Sequence, residues 1–287
     1  MSAYQIITDS CCDFTKAQYE SLNVSFAPLT LLYKDNSYDS FTEEAELRDF
    51  YNGIRDGEMP STSAVNPDGW ARVMEPALRE GKDVLCLAFS SGLSTTYQSA
   101  VIAAEELGEK YPDRKIFVVD TLCAALGQGL LVYKACEKRD AGYSLEALHS
   151  WVEENKLHIC HWVTIDDLGH LKRGGRVSAA TALVGGMLNV KPIIIMDNDG
   201  KLATVGKCRG RKTAMEQLVK KLCEDGTDVE TIFIAHGDCP EDVALLEKLC
   251  REKCPAVKNV MTGYVGGVIG AHTGPGVLVV FFLGKHR

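Results

Sequence analysis

The sequence lacks any apolar run long enough to span a membrane. Its longest such run, Val277 to Leu283, is about a third of the length that a membrane-spanning helix needs. The first residues show no basic region followed by a long apolar core, so no signal peptide is expected. We therefore expect a protein without stable membrane insertion.

The sequence has fewer basic than acidic residues. The 31 lysines and arginines stand against 39 aspartates and glutamates, which gives a net charge of −8. Binding to nucleic acid relies on clustered lysine and arginine side chains that neutralise phosphates. The acidic balance therefore argues against nucleic acid as the main partner, and it leaves room only for a local basic patch.

Motifs for metals and nucleotides are missing as well. The eleven cysteines form no C-x-x-C pair, and their odd number argues against a disulfide framework. Neither a P-loop nor a G-x-G-x-x-G fingerprint is present, and Ser91 to Ser94 does not match the G-x-S-x-G nucleophile elbow. We expect a reduced, cytoplasmic protein with no metal and no cofactor.

The pattern of apolar and polar residues predicts two domains, and 287 residues suit that number. The first half alternates strands and helices, which favours a parallel sheet covered on both faces. Its expected elements are the strands Gln5–Thr8, Val84–Phe89 and Lys115–Val119 and the helices Thr15–Leu22, Thr42–Gly53, Trp70–Glu80, Ala100–Leu107 and Leu122–Lys138. We predict an α/β/α domain at residues 1–155.

The second half has a different pattern. After an amphipathic helix at Tyr143–Glu154, two alternating segments flank the turn signal Asp-Asn-Asp-Gly at 197–200, which predicts a β-hairpin. Further expected elements are the strands Thr231–Ala235 and Val277–Leu283 and the helices Lys212–Glu224 and Glu241–Arg251. We predict a mixed-sheet α+β domain at residues 156–287.

A loop rich in hydroxyl groups is the strongest candidate for a binding site. Residues 90–99 contain six serines and threonines and one glycine but no lysine or arginine, and they lie between a predicted strand and a predicted helix. The first N–H groups of a helix have no partner within the helix, and the helix dipole favours negative charge there. This loop is typical of a site that holds a small anion by hydrogen bonds.

A second hydroxyl-rich loop precedes the helix at Trp70. In it Thr62 is a candidate donor that faces the first loop, while helix capping by Ser63 or Asn66 explains the same residues equally well. Open α/β sheets bind ligands at the carboxyl ends of their strands, where both loops are expected.

Two basic spots and one histidine complete the candidates. The helix within Asp166–Ser178 should stop at a glycine pair, and Arg176 beyond that pair is a candidate contact for an anion or phosphate. Arg209 lies in a second basic spot, for which a solvated surface is an equal alternative. His272 lies in a stretch with six glycines among residues 263–276, where little bulk is left to bury it.

In this order, the motifs resemble those of the DegV family from one end of the chain to the other. The matching segments are Ile7–Ser10, Ser61–Ser63, Ser90–Ser99, Asp120–Thr121, Leu171–Ser178, Lys191–Pro192 with the hairpin turn and Arg209, and Ile269–Gly276. The sequence departs from the family at Thr95, where glycine is usual, so Thr95 should occupy a backbone region open to other residues.

The resemblance implies a fold and a function. It implies two α/β domains with a long-chain fatty acid in the cleft between them, and for some members a role as the acyl-carrying subunit of a bacterial fatty acid kinase. Thr62 and Ser94 would hold the carboxylate with His272 in the same network, and Ser63 and Thr96 beside them are included as ligand-binding residues.

The resemblance also assigns roles outside the binding network. It implies that Arg176 and Arg209 lie on the surface that meets the kinase, and no residue of this chain is expected to be catalytic. Two alternatives stay open: a stand-alone hydrolase or phosphotransferase using Ser94 or His272, and a lipid store or sensor without a kinase partner.

Overall fold

The computed structural model of the protein describes residues 4–40, 43–177 and 189–287. Its strands are β1 (Tyr4–Asp9), β2 (Val24–Ala27), β3 (Thr30–Tyr33), β4 (Asn36–Asp39), β5 (Ser61–Ser63), β6 (Asp83–Ala88), β7 (Ile116–Asp120), β8 (Ile159–Thr164), β9 (Val190–Met196), β10 (Leu202–Arg209), β11 (Gly226–His236), β12 (Asn259–Tyr264) and β13 (Leu278–Gly284). Its helices are α1 (Lys16–Ser21), α2 (Glu44–Arg55), α3 (Pro67–Arg79), α4 (Thr96–Lys110), α5 (Ala125–Asp140), α6 (Leu145–Asn155), α7 (Gly169–Arg173), α8 (Arg211–Asp225), α9 (Pro240–Lys253) and α10 (Gly267–Thr273).

The N-terminal domain contains a parallel sheet, as predicted. Its strand order is β2-β1-β6-β7, and every neighbouring pair is parallel. Buried Asp9 joins the carboxyl ends of the two central strands, since its carboxyl group accepts hydrogen bonds from the N–H groups of Cys11 at 3.0 Å and Phe89 at 2.7 Å. Burial raises the pKa of Asp9 to about 7. These bonds fix the start of the hydroxyl-rich loop.

The C-terminal domain contains a mixed sheet in the order β10-β9-β8-β13-β11-β12. The predicted hairpin is confirmed, because β9 and β10 pair in antiparallel fashion across the turn at Asp197–Gly200. The strand predicted at Thr231–Ala235 lies in the C-terminal half of the longer β11. Among the strands described in this sheet, β11 and β12 are the one parallel pair, and Val177 adds a single parallel bridge to Leu202 of β10.

Two local expectations are corrected by this part of the structure, and a third lies partly outside the described residues. The segment Ser61–Ser63 is a short strand, β5, which pairs with β3 in a small third sheet so that Thr62 lies opposite Leu31. The long helix after Thr121 begins at Ala125 instead of Leu122, because the Leu122 N–H donates to Asp120 Oδ1 at 3.1 Å in a tight turn. The helix predicted from Thr42 is described from Glu44, and Thr42 lies outside the described residues.

The two large sheets share a hydrophobic core. Helix α5 lies between them, with Leu126 and Leu130 packed in one cluster with Leu85 of the parallel sheet and Phe233 and Phe281 of the mixed sheet. Burying such side chains contributes about 1.5–3 kcal/mol each, so the two sheets are held firmly against each other. The boundary at 155/156, which falls at the end of α6, stays a prediction.

Candidate functional site

A cavity of about 460 Å³ lies between the two large sheets. The face of the mixed sheet forms one wall, where His161 pairs in register with Phe281 and Val163 with Val279. Other apolar residues close the cavity: Leu29, Phe89, Leu93, Ala124, Ala125, Leu171, Ile194, Met196, Leu202, Val265, Val268, Ile269 and Val277. Polar side chains line it where the hydroxyl-rich loop, β5 and α10 meet, among them those of Thr62, Ser94 and His272.

The hydroxyl-rich loop follows β6, and its last four residues form the start of α4, which begins at Thr96 instead of the predicted Ala100. Ser94 lines the cavity. The Ser94 hydroxyl lies 2.8 Å from the hydroxyl of Thr96 and accepts from the Thr96 N–H at 3.2 Å. Thr96 itself is fully buried, and its carbonyl accepts from the indole of Trp70. Thr96 therefore holds the Ser94 hydroxyl in position on the side away from the cavity. Thr96 is not among the described residues that line the cavity.

Contacts to both domains hold this loop in place. The Ser91 N–H donates to Asp120 Oδ1 at 3.1 Å, and the Ser90 hydroxyl donates to the Gly200 carbonyl at 2.7 Å. A Cβ at Gly92 would lie 2.5 Å from the carbonyl oxygens of the hairpin turn, so only glycine fits there. Thr95 has φ −81° and ψ 5°, a conformation open to any residue, as expected from its departure from the family pattern.

Thr62 and His272 meet across 210 residues of sequence. The Thr62 hydroxyl lies 2.9 Å from His272 Nε2, and both side chains line the cavity. The predicted helix capping is confirmed for Asn66, whose side chain caps α3 by accepting from the Gly69 N–H at 2.8 Å, while Thr62 takes no part in that cap. Ser63 also lines the cavity and is exposed.

His272 is neutral at physiological pH. Burial and the nearby charge of Arg176 lower the pKa of His272 to about 4. The C-terminal end of α7 packs against the ring, where a Cβ at Gly174 would lie 2.4 Å from His272 Nδ1. His272 therefore offers hydrogen bonds to a bound group without carrying a charge of its own.

The two arginines singled out by the sequence lie in different places. Arg176 lines the cavity next to the hydroxyl-rich loop and donates to the carbonyls of Leu93 at 3.3 Å and Gly174 at 2.5 Å. The predicted stop of the preceding helix is confirmed, because α7 ends at Arg173, before the glycine pair. Arg209 lies at the exposed end of β10 and does not line the cavity.

Exchanging Arg176 for glutamine is expected to raise the pKa of His272 from about 4 toward its ordinary value of 6.5. The exchange removes the positive charge, which is one of the two causes of the lowered pKa; burial is the other. Titration of the His272 ring by NMR measures this, and Arg209→Gln serves as the control. In the wild type, His272 lowers the free energy of unfolding as the pH falls from 6.5 toward 4. Its pKa is higher in the unfolded chain, which therefore binds the proton first. An unchanged pKa in Arg176→Gln would show that burial alone sets it.

His161 is a cavity residue that the sequence did not single out. Its Nδ1 donates to the Ile159 carbonyl at 3.0 Å, and its Nε2 accepts from the Ala124 N–H at 3.2 Å. Burial and then the charge of Arg287 lower its pKa to about 3, so it is neutral. With both nitrogens engaged, it presents only ring carbons to the cavity. The mostly apolar segment Ile159–Thr164 gives no sequence signal that would have singled it out.

The cavity holds few groups suited to acid–base chemistry. Among the described residues that line it, none is an aspartate or a glutamate. His272 bonds to Thr62, and no hydrogen bond between His272 and Ser94 occurs in the described ranges. Nor do those ranges hold a cluster of three metal-ligating side chains, and all eleven cysteines are free thiols.

The fold and this cavity define a two-domain α/β protein that encloses a largely apolar chamber, which is polar where the hydroxyl-rich loop, β5 and α10 meet. No helix within residues 4–40, 43–177 and 189–287 is long and apolar enough to cross a membrane. The chain belongs to the DegV family: the family profile, described as "Uncharacterised protein, DegV family", matches residues 3–285.

Similar proteins cover the whole chain. A DegV domain-containing protein of Clostridium perfringens is 45% identical over 290 residues, covering 100% of this chain and 99% of the relative. The solved structure of a fatty-acid-binding DegV family protein of Thermus thermophilus has a TM-score of 0.87 at 32% identity, covering 98% of this chain and 99% of that one. DegV of Bacillus subtilis, a fatty-acid-binding protein, has a TM-score of 0.83 at 29% identity, covering 99% and 100%.

Proposed function

We propose that this protein binds a long-chain fatty acid in the cavity between its two domains. The observation that carries the proposal is an apolar chamber of about 460 Å³ that has hydroxyls and a neutral histidine on its wall and no described acidic residue. A fatty acid has one small anion and a long apolar tail, which match these two parts. The fatty-acid binding of the Thermus and Bacillus relatives supports the same ligand class.

The tail supplies most of the binding energy. Burying one methylene contributes about 0.8 kcal/mol, so a tail of roughly fifteen contributes on the order of 10 kcal/mol before the costs of association. The walls available to it are the apolar faces of β8, β9 and β13 and the N-terminal end of α5. His161 does not interrupt this surface, because its ring nitrogens are bonded elsewhere.

The head group needs orientation more than charge attraction. In the proposed complex the carboxylate accepts hydrogen bonds from the hydroxyls of Thr62 and Ser94. The single N–H of neutral His272, at Nε2, donates to Thr62 Oγ1 and so leaves the Thr62 proton for the carboxylate. Hydrogen bonds to a charged acceptor contribute about 1.5–3 kcal/mol each. Ser63 lies at the edge of this site. Thr96 does not reach the carboxylate but orients the Ser94 hydroxyl through their hydrogen bond.

We further propose that the bound fatty acid is presented to a separate kinase subunit. A carboxylate oxygen would attack the terminal phosphorus of ATP on the partner, the acyl–phosphate bond would form, and ADP would leave. Arg176 and Arg209 are the proposed partner-facing residues, and both are exposed. The eleven free thiols fit a reducing compartment, the cytoplasm.

Removing one head-group donor is expected to weaken fatty-acid binding by about 1–3 kcal/mol. Ser94→Ala and Thr62→Val each delete a proposed donor, and isothermal titration with hexadecanoic acid measures the loss. Ser61→Ala is the matched control, because Ser61 lies in the same strand as Thr62 and does not line the cavity. If both donor variants bind as tightly as the wild type, the head-group assignment is wrong.

A further inference from the structure

The side chain of Arg287 joins segments of the chain that are far apart in sequence. Its guanidinium group donates to the carbonyls of Lys156 at 2.8 Å and Ile159 at 3.1 Å, between α6 and β8. It also donates to Cys123 Sγ at 2.9 Å, in the turn that follows β7. Its fourth bond goes to the carbonyl of Asp197 at 3.0 Å, in the hairpin turn between β9 and β10. One side chain therefore ties the parallel-sheet domain to the hairpin of the mixed sheet.

The hairpin turn continues this link to the hydroxyl-rich loop. The Asp197 carbonyl, which accepts from Arg287, also accepts from the Gly200 N–H at 3.0 Å. The Gly200 carbonyl in turn accepts from the Ser90 hydroxyl at 2.7 Å. The turn packs so closely here that a Cβ at Gly200 would overlap that hydroxyl. A displacement of the hairpin turn would therefore be felt at Ser90.

Ser90 anchors the part of the loop that carries Ser94. Its carbonyl accepts from the N–H groups of Leu93 at 3.1 Å and Ser94 at 3.2 Å, which closes a tight turn. Its own N–H donates to the Cys123 carbonyl at 3.2 Å, and the whole residue is buried. The position of the Ser94 hydroxyl is thus fixed through Ser90.

These hydrogen bonds close into a ring, which we call the loop clasp. Its members, in order, are Ser90, Gly200, Asp197, Arg287 and Cys123. Arg287 takes part through its side chain alone, whereas each of the other four contributes a backbone group. A planar guanidinium suits this place because it presents several N–H donors in fixed directions. Exchanging Arg287 therefore opens the ring and leaves its backbone groups in place.

The apolar walls of the chamber are held by other means. The strands β8, β9 and β13 are joined by their own ladders of hydrogen bonds. Wall residues such as Ile194 and Phe281 are buried in the core that the two sheets share. The walls that would contact a tail therefore do not depend on the loop clasp.

We propose that Arg287 is a positioning residue for the carboxylate of the bound fatty acid, because the loop clasp holds the Ser94 hydroxyl in place. This inference rests on the proposed function. Arg287 is not among the described residues that line the chamber, so it acts on the ligand through Ser90 and Ser94. Opening the clasp weakens the hold on the carboxylate and leaves the hold on the tail unchanged.

The test compares hexadecanoic acid with its methyl ester, which has the same tail and no anion. Isothermal titration measures both. Arg287→Gln should weaken binding of the acid about tenfold, the loss expected when one hydrogen bond to a charged acceptor is misaligned, and leave the ester within about twofold. Arg287→Lys keeps the charge but not the planar fork, so it should lose as much as Arg287→Gln. Lys285→Gln is the matched control, because Lys285 is exposed and its Nζ donates to the Glu224 carbonyl, outside the clasp.

A double exchange tests whether Arg287 acts through Ser90. Ser90→Ala removes the hydroxyl that meets the Gly200 carbonyl and should also weaken the acid about tenfold. Because both exchanges open the same ring, the double variant should bind the acid within about twofold of Ser90→Ala. Losses that multiply to about a hundredfold would show two independent effects and overturn the clasp.

The ring of His161 reports whether the guanidinium occupies this place in solution. Burial and then the charge of Arg287 lower the pKa of His161 to about 3, so Arg287→Gln should raise it, as NMR titration measures. An unchanged pKa would overturn the inference. So would equal losses for acid and ester in Arg287→Gln, or acid binding like that of the wild type in Arg287→Lys, and the proposed function would stand in each case. A wild type that binds neither ligand would overturn the proposed function together with this inference.

Discussion

Adding hexadecanoic acid to the delipidated protein is expected to raise its melting temperature by about 8 °C. A ligand present at about 1,000 times its Kd stabilises the folded state by roughly 4 kcal/mol, and a chain of this size gains about 2 °C per kcal/mol. The physical reason is that the chamber lies between the two sheets, so a bound tail adds apolar contacts to the core that they share. Differential scanning calorimetry measures the shift.

The methyl ester of the same acid is the matched control ligand. It has the same tail but no anion, so it should raise the melting temperature by less, since the hydrogen bonds proposed for Thr62 and Ser94 are weaker to a neutral group. Mass spectrometry of lipids extracted after gentle purification supplies a second readout. Protein that carries no lipid and shows no shift with any long-chain fatty acid would contradict fatty-acid binding.

Arg209→Ala is expected to lower acyl phosphate formation roughly 100-fold in the presence of the kinase partner, because truncating a charge paired across an interface costs about 2–5 kcal/mol. Fatty-acid affinity should stay within about twofold of wild type, since Arg209 lies at the exposed end of β10 and outside the cavity lining. Paired measurements of affinity and of coupled turnover check this. Arg72→Ala, an exposed arginine on α3, is the control.

Arg176→Ala gives a useful comparison with Arg209→Ala. It should lower turnover in the same way, but it also removes the hydrogen bond to the Leu93 carbonyl and should reduce lipid affinity to a small extent. If Arg209→Ala loses affinity in proportion to turnover, the docking role fails. Acyl phosphate made from ATP by this chain alone would favour the stand-alone enzyme, and turnover unaffected by either arginine would favour a lipid store or sensor.

Local signals in the sequence predicted most of the elements correctly. The alternation of strands and helices predicted the parallel sheet, and the Asp-Asn-Asp-Gly turn predicted the hairpin that β9 and β10 form. These features depend on neighbours within a few residues, through hydrogen bonds of turns and the spacing of apolar side chains. The error at Ser61–Ser63 has the opposite origin, because pairing with β3 joins segments that are distant in the sequence. The error at Leu122 is local: the Asp120 side chain accepts from the N–H two residues further on, a turn that the apolar pattern did not show.

The sequence alone also determined which segments are candidates for a binding site. The density of hydroxyls around Ser94 and of glycines around His272 could be seen without any fold, because each is a property of a short stretch. Only the tertiary structure decided that Thr62 and His272 lie 2.9 Å apart and that Arg176, not Arg209, lines the cavity. The physical reason is that strand order brings distant loops to one edge between the sheets, and no local signal encodes that order. For the same reason His161, whose polar groups are bonded within its own sheet and to α5, was recognised as a wall of the cavity only in the folded protein.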